Sequence, residues 1–121
     1  MNILVIDDEP QVSEMLQEYF VDQGYSVDVA TTGDEAYRRA SSKRPDAVIL
    51  DMRLPDTTGD ELLARLRTLD DSLQIVMLSG SIDEDSKRRT VAAGAVEYLH
   101  KPFDWALLDR TISHAVGVGR R

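Results

Sequence analysis

The chain of 121 residues contains no cysteine, which excludes a disulfide framework and any thiolate metal site. It also has no apolar run near the roughly 20 residues that a membrane-spanning helix needs. The opening Met1-Asn2-Ile3-Leu4 lacks the basic start and long apolar core of a secretory signal. A cytoplasmic location with no membrane partner is therefore expected. Basic residues are few beside the acids, 14 against 22, for a net charge of −8. Such a surface repels phosphate backbones, so this domain is not expected to bind nucleic acid directly. Internal repeats and low-complexity linkers are missing too. What is present, 42% apolar and 30% charged residues, suits one globular domain that buries about two-thirds of its unfolded surface. Residues 1–116 are expected to form it, with 117–121 as a flexible tail or the start of a linker.

The most informative stretch runs from Asp46 to Asp56. Ala47-Val48-Ile49-Leu50 is continuously apolar, as a strand covered on both faces would be, and it ends on Asp51 and a proline-bearing turn. Ile3-Leu4-Val5-Ile6 repeats the pattern and ends on Asp7-Asp8-Glu9. Ile75-Val76-Met77-Leu78 ends on Ser79, and Ala95 to His100 runs into Lys101-Pro102. Tyr25 to Ala30 alternates instead, which predicts an edge strand.

Helical patterns separate these strands. Pro10 opens the first, whose apolar face is read as Val12, Met15, Leu16, Tyr19 and Phe20, with Gly24 closing it. Thr32 with Glu35, and Thr58 with Glu61, form capping-box pairs for the second and third. The second turns Ala36, Tyr37 and Ala40 inward. The third carries Leu62, Leu63, Leu66 and Leu69. The fourth, from Asp83 to Ala93, is mostly polar and offers an apolar surface only at Val91, Ala92 and Ala93. Asp104 caps the fifth, which faces inward through Leu108, Thr111, Ile112, Ala115 and Val116.

Five strands alternating with five helices force parallel pairing and right-handed crossovers. The expected fold is α/β, a flavodoxin-like (βα)5 three-layer sandwich with strand order 2-1-3-4-5. Parallel pairing brings Asp7, Asp8, Asp51, Ser79 and Lys101 to one sheet edge, beside the crevice between strands 1 and 3.

A lone Asp at a strand end is usually a solvated turn residue. Three together repel by several kcal/mol per pair at an effective dielectric near 20, more than Lys101 alone can balance. An all-oxygen donor set suits Mg²⁺, or Mn²⁺ in its place. Metal, carboxylate, lysine and hydroxyl together equip a site for phosphoryl transfer onto Asp51.

These residues resemble the receiver domain of two-component response regulators. The matching pieces are Val5-Ile6-Asp7-Asp8-Glu9-Pro10, Ile49 through Pro55, Ser79-Gly80, and Gly94-Ala95 with Tyr98 through Phe103, in order and at the family's spacing. The resemblance implies Asp51 as phosphoacceptor. It implies Asp8, Asp51 and the main-chain carbonyl of Arg53 as direct Mg²⁺ ligands, with Asp7 acting through water. Lys101 would contact the phosphoryl group ahead of a cis bond to Pro102, and Ser79 and Tyr98 would form a switch pair. The implied donor is a histidine kinase or His-phosphotransfer protein, the implied state change a new partner surface or a homodimer, and the downstream effector is left open. Such a domain is not an enzyme beyond its own phosphorylation and dephosphorylation. Departures from the pattern are Ser79 for the commoner Thr and Thr57-Thr58 before Gly59. Arg53 and Ser81 occupy positions that tune dephosphorylation in the family.

Two other readings compete. A degenerate receiver would bind partners without phosphorylation, against which stands the retention of every acid and of Lys101. An Asp-nucleophile phosphohydrolase would need Asp-x-Asp after its first strand, where this chain has Asp7-Asp8. His100 and His114 are read as surface residues and Trp105 as packing.

Overall fold

The computed structural model describes residues 1–80 and 84–119. Ten elements alternate along them: β1 (Asn2–Ile6), α1 (Pro10–Asp22), β2 (Ser26–Ala30), α2 (Gly33–Ser42), β3 (Ala47–Asp51), α3 (Gly59–Leu69), β4 (Ile75–Ser79), α4 (Glu84–Ala92), β5 (Glu97–His100) and α5 (Trp105–Gly119). The strands form one parallel sheet in the order β2-β1-β3-β4-β5, the flavodoxin-like arrangement read from the sequence.

The unbroken apolar runs follow from this layering. Leu4, Ile6, Val48, Leu50, Ile75 and Met77 point to the side covered by α2 and α3. Ile3, Val5, Ala47, Ile49, Val76 and Leu78 point to the side covered by α1 and α5. Each central strand thus feeds two cores, which requires apolar residues at successive positions rather than alternate ones. On the α1–α5 side the rings of Phe103, Trp105, Tyr19, Phe20 and Tyr25 follow one another at centroid separations of 4.9, 4.6, 5.0 and 5.8 Å. Trp105 is half-buried packing, as expected.

Local chemistry sets the helix ends. Gly24 and Gly94 adopt φ of +98° and +105°, a region open to glycine at little cost, and they close α1 and α4. Thr32 and Thr58 cap α2 and α3 by accepting from the N–H groups of Glu35 and Glu61. The return bonds fall one residue earlier than in a standard capping box. Glu35 accepts from the Thr31 N–H at 2.9 Å, and Glu61 from the Thr57 hydroxyl at 2.9 Å. Asp104 accepts from the N–H groups of Ala106 and Leu107 at the start of α5.

Several expectations are corrected. Met15 is 48% exposed. It lies about 140° around α1 from the fully buried Phe20 at 3.6 residues per turn, and the buried face consists of Ser13, Leu16 and Phe20. On α4 the apolar residues face out and the hydroxyls face in. Val91 is 45% exposed, whereas Ser86 and Thr90 are buried. The Thr90 hydroxyl is tolerated there because it donates to the carbonyls of Ser86 and Lys87 within its own helix. α5 continues to Gly119, so 117–119 extend the helix into the segment read as a flexible tail or the start of a linker. Helix propensity costs of about 1 kcal/mol per glycine are small beside the packing of the preceding turns. Asp83, Ser81 and the tail residues 120–121, named in the sequence reading, lie outside the described residues.

Candidate functional site

Each strand that ends in a polar residue delivers it to the same edge. Asp7 follows β1, tied down by its own N–H to the Ala30 carbonyl at 3.0 Å. Asp51 ends β3 and Ser79 ends β4, both buried. Lys101 follows β5, its N–H donating to the Ser79 carbonyl at 2.6 Å, and the Lys101–Pro102 bond is cis. One carboxylate oxygen from each of Asp7, Asp8 and Asp51 lies within 4.8 Å of the others. Asp8 and Asp51 border a cleft of about 340 Å³ whose walls include Arg53, Leu54, Pro55, Ser79 and Lys101. Asp7 itself is 1% exposed, while Asp8 faces solvent.

The ammonium of Lys101 reaches Asp7 Oδ2 at 2.9 Å, Asp51 Oδ1 at 3.4 Å and Glu9 Oε1 at 3.4 Å. Burial alone would lower its pKa. The hydrogen bond to Asp7, with the charges of Asp51, Asp7 and Glu9, outweighs burial and holds the ammonium above its ordinary value. Burial, then the neighbouring charge of Asp7, raises Asp51 from 3.8 to about 6, against the pull of Lys101 and the Arg53 N–H. One cation is too few for these acids. An oxygen-rich group that remains underneutralised with its counter-charge already in contact fits a hard divalent cation. Asp7, Asp8 and Asp51 are the carboxylates that could hold one.

The turn after Asp51 is closed by short main-chain bonds. Gly59 N–H donates to Met52 O at 2.7 Å and Leu54 N–H to Thr57 O at 3.2 Å, while Arg53 and Thr58 form an antiparallel bridge. Any Cβ at residue 59 would sit 2.8 Å from Met52 Cα and 3.0 Å from Asp51 O, so the chain needs glycine there. Tyr98 lies in the core on the α2–α3 side. It pairs in register with Met77, as His100 does with Ser79, so Tyr98 and Ser79 belong to the same face of the sheet. His100 and His114 are exposed.

Two contacts were not anticipated. Glu9 stands at the N-cap of α1 but its side chain makes no cap bond to the helix; its carboxylate turns to Lys101 instead. Asp56 accepts from the N–H groups of Gly33 and Asp34 at 2.8 and 3.1 Å, across 23 and 22 residues of sequence. Neither forms part of a local motif that points to its partner.

The fold and site together define a flavodoxin-like α/β domain with an acid cluster and a lysine at the carboxyl edge of its sheet. The profile of the response regulator receiver domain matches residues 3–113, and the chain belongs to that family. Over 101 residues it is 42% identical to the transcriptional regulatory protein KdpE of Mycobacterium tuberculosis, covering 84% of this chain and 44% of the relative. It is 40% identical to the response regulator MprA of Mycobacterium avium over 103 residues, 85% of this chain and 45% of that protein. The chain thus spans less than half the length of these curated relatives. A receiver domain structure from Clostridium thermocellum superposes with a TM-score of 0.90 at 29% identity, covering 96% and 94% of the two chains. The chemotaxis protein CheY4 of Vibrio cholerae gives 0.87 at 30%, covering 94% and 97%. A receiver domain is a signalling module rather than a catalytic enzyme, and its acid triad is of the kind that forms a metal site. Among the described residues no helix is long and apolar enough to cross a membrane.

Proposed function

We propose that this domain is a phosphorylation-controlled switch in which Asp51 is the phosphoacceptor. The observation that carries the reading is the position of Asp51: at the end of a central strand, in contact with Lys101 and within reach of Asp7 and Asp8. A carboxylate oxygen of Asp51 attacks phosphorus. The bond from phosphorus to the donor breaks, the donor keeps its electron pair, and Asp51 becomes an acyl phosphate. Lys101 turns from carboxylates to the phosphoryl oxygens, and the Ser79 hydroxyl hydrogen-bonds another. Mg²⁺, or Mn²⁺, held by Asp8, Asp51 and the Arg53 carbonyl, with Asp7 through water, would neutralise charge that Lys101 leaves uncompensated.

Tyr98 is assigned the second half of the switch, its ring taking the space that Ser79 leaves on the same face of the sheet. Inverting a 1:99 equilibrium takes about 5.5 kcal/mol. One hydroxyl bond of about 1 kcal/mol and one ring rotation supply only part. A partner or homodimer surface therefore contributes, and the donor is a histidine kinase or His-phosphotransfer protein in the cytoplasm. The name of KdpE as a transcriptional regulatory protein suggests an output through another domain or chain.

The test is incubation with Mg²⁺ and a small acyl phosphate, and separately with a kinase. A hydroxylamine-labile adduct mapped to Asp51, absent from Asp51→Asn, is expected. An unmodified Asp51 under both conditions would leave the phosphorylation-independent binding module as the better reading, and turnover of phosphomonoesters would favour the hydrolase.

A further inference from the structure

We propose that Asp56 is a positioning residue for the metal site, fixing the turn after Asp51 by using the first turn of α2 as its anchor. This inference rests on the metal-dependent reading above. An α-helix begins with N–H groups that have no partner within the helix. In α2 the first three are all satisfied from outside it: Gly33 by Asp56 Oδ1, Asp34 by Asp56 Oδ2 and Glu35 by the Thr32 hydroxyl. The 52–58 turn supplies two of the three bonds, through both oxygens of one carboxylate placed where the helix dipole favours negative charge.

The seat is close as well as polar. Gly33 is buried, and a Cβ there would lie 2.5 Å from Thr57 Cγ2 and 3.4 Å from Asp56 Oδ1. Residue 33 is glycine because the turn occupies that space. From Asp56 and Thr57 the constraint passes back along the main chain. Thr57 O receives the Leu54 N–H, and Thr58 bridges Arg53. Arg53, two residues beyond Asp51, carries the carbonyl assigned as a metal ligand. Asp56 touches neither metal nor phosphoryl group in this scheme. It acts through Arg53 and Leu54.

The arrangement is reciprocal by linkage. If the anchored turn binds the cation better than the released one, bound cation strengthens the docking of the turn on α2 by the same factor. Displacement of α2 would weaken cation binding correspondingly.

The test is calorimetric titration of the purified domain with Mg²⁺ alone, alongside thermal melts. Loss of an outer-shell partner typically costs about tenfold or more in metal affinity, and that loss is expected for Asp56→Ala. Asp56→Asn, which keeps one acceptor oxygen but turns an NH2 donor toward the second N–H, should fall between wild type and Asp56→Ala. Gly33→Ala, which pushes Thr57 from the opposite side, should weaken Mg²⁺ binding while leaving every carboxylate in place, and it serves if Asp56→Ala does not fold. Wild-type affinity in Asp56→Ala or Gly33→Ala with a lowered melting temperature would make the contact a helix cap only and overturn the proposal. No Mg²⁺ binding by the wild type would overturn it also. Mg²⁺ binding that depends on Asp56, with no adduct on Asp51, would leave it standing and remove the phosphoacceptor reading instead.

Discussion

Asp51 should destabilise the metal-free protein, and Asp51→Asn should reveal by how much. Burial and the charge of Asp7 raise the native carboxyl from 3.8 to about 6. Between these values the native state holds a proton that the unfolded chain has released, so stability falls as pH rises through the window. The loss is complete somewhat above pH 6. At about 1.4 kcal/mol per pKa unit, ionised Asp51 costs the native state about 3 kcal/mol. A neutral Asn keeps an oxygen for the Arg53 N–H and removes the repulsion from Asp7. Side-chain relaxation takes back part of the gain, leaving about 2 kcal/mol. For a domain of this size that is roughly a 6–10 °C rise in melting temperature. The assay is urea or thermal unfolding in chelator at pH 7.5 and pH 4. The variant should be the more stable at pH 7.5 and nearly equal to wild type at pH 4, where Asp51 is already protonated. Mg²⁺ at about 100 times its Kd should then stabilise wild type by about 2.7 kcal/mol and close the gap. An Asp51→Asn variant no more stable than wild type at pH 7.5, or one with the same advantage at pH 4, would refute the reasoning.

Gly59→Ala places a Cβ against Met52 Cα and Asp51 O, and overpacking of this kind should cost about 1–3 kcal/mol, read as a lower urea midpoint. Arg67 binds the carbonyls of Asp71, Leu73 and Gly94. Arg67→Met leaves them without that partner and should cost about 2–4 kcal/mol in equilibrium unfolding. Lys101→Met leaves the buried Asp7 carboxylate beside Asp51 without its cation; melts in chelator should fall, by about 3 kcal/mol or more, and Mg²⁺ should restore part of the loss. Val91→Ser on the outer face of α4 should change stability by less than about 0.5 kcal/mol, because that side chain is already exposed.

The legible parts of the sequence were those where one physical demand dominates. Ile3–Ile6, Ala47–Leu50 and Ile75–Leu78 are apolar at every position because two cores claim each strand. The acids and Lys101 were legible as a group because parallel strands must end on the same edge. Expectations failed where demands compete. On α4 the few apolar residues suggested an inner face, but Thr90 can satisfy its hydroxyl on its own helix and take the buried position. Met15 fits an i, i+3 pattern from Val12 yet falls on the rim once Leu16 and Phe20 set the centre of the face. The Asp56 contact with α2 could not be read from the local motif, because its partners are more than 20 residues away.

The aromatic file between α1 and α5 has a practical consequence. Trp105 is the chain's only tryptophan, held between a tilted Tyr19 ring and an edge-on Phe103 ring just past the Lys101–Pro102 bond. Ring pairs held at fixed angles in an asymmetric setting give near-ultraviolet circular dichroism, and a single indole makes its emission unambiguous. The domain therefore carries its own optical reporter at the start of α5, four residues beyond Lys101, on the face of the sheet opposite Tyr98. A change in that signal would register rearrangement around the lysine without any label.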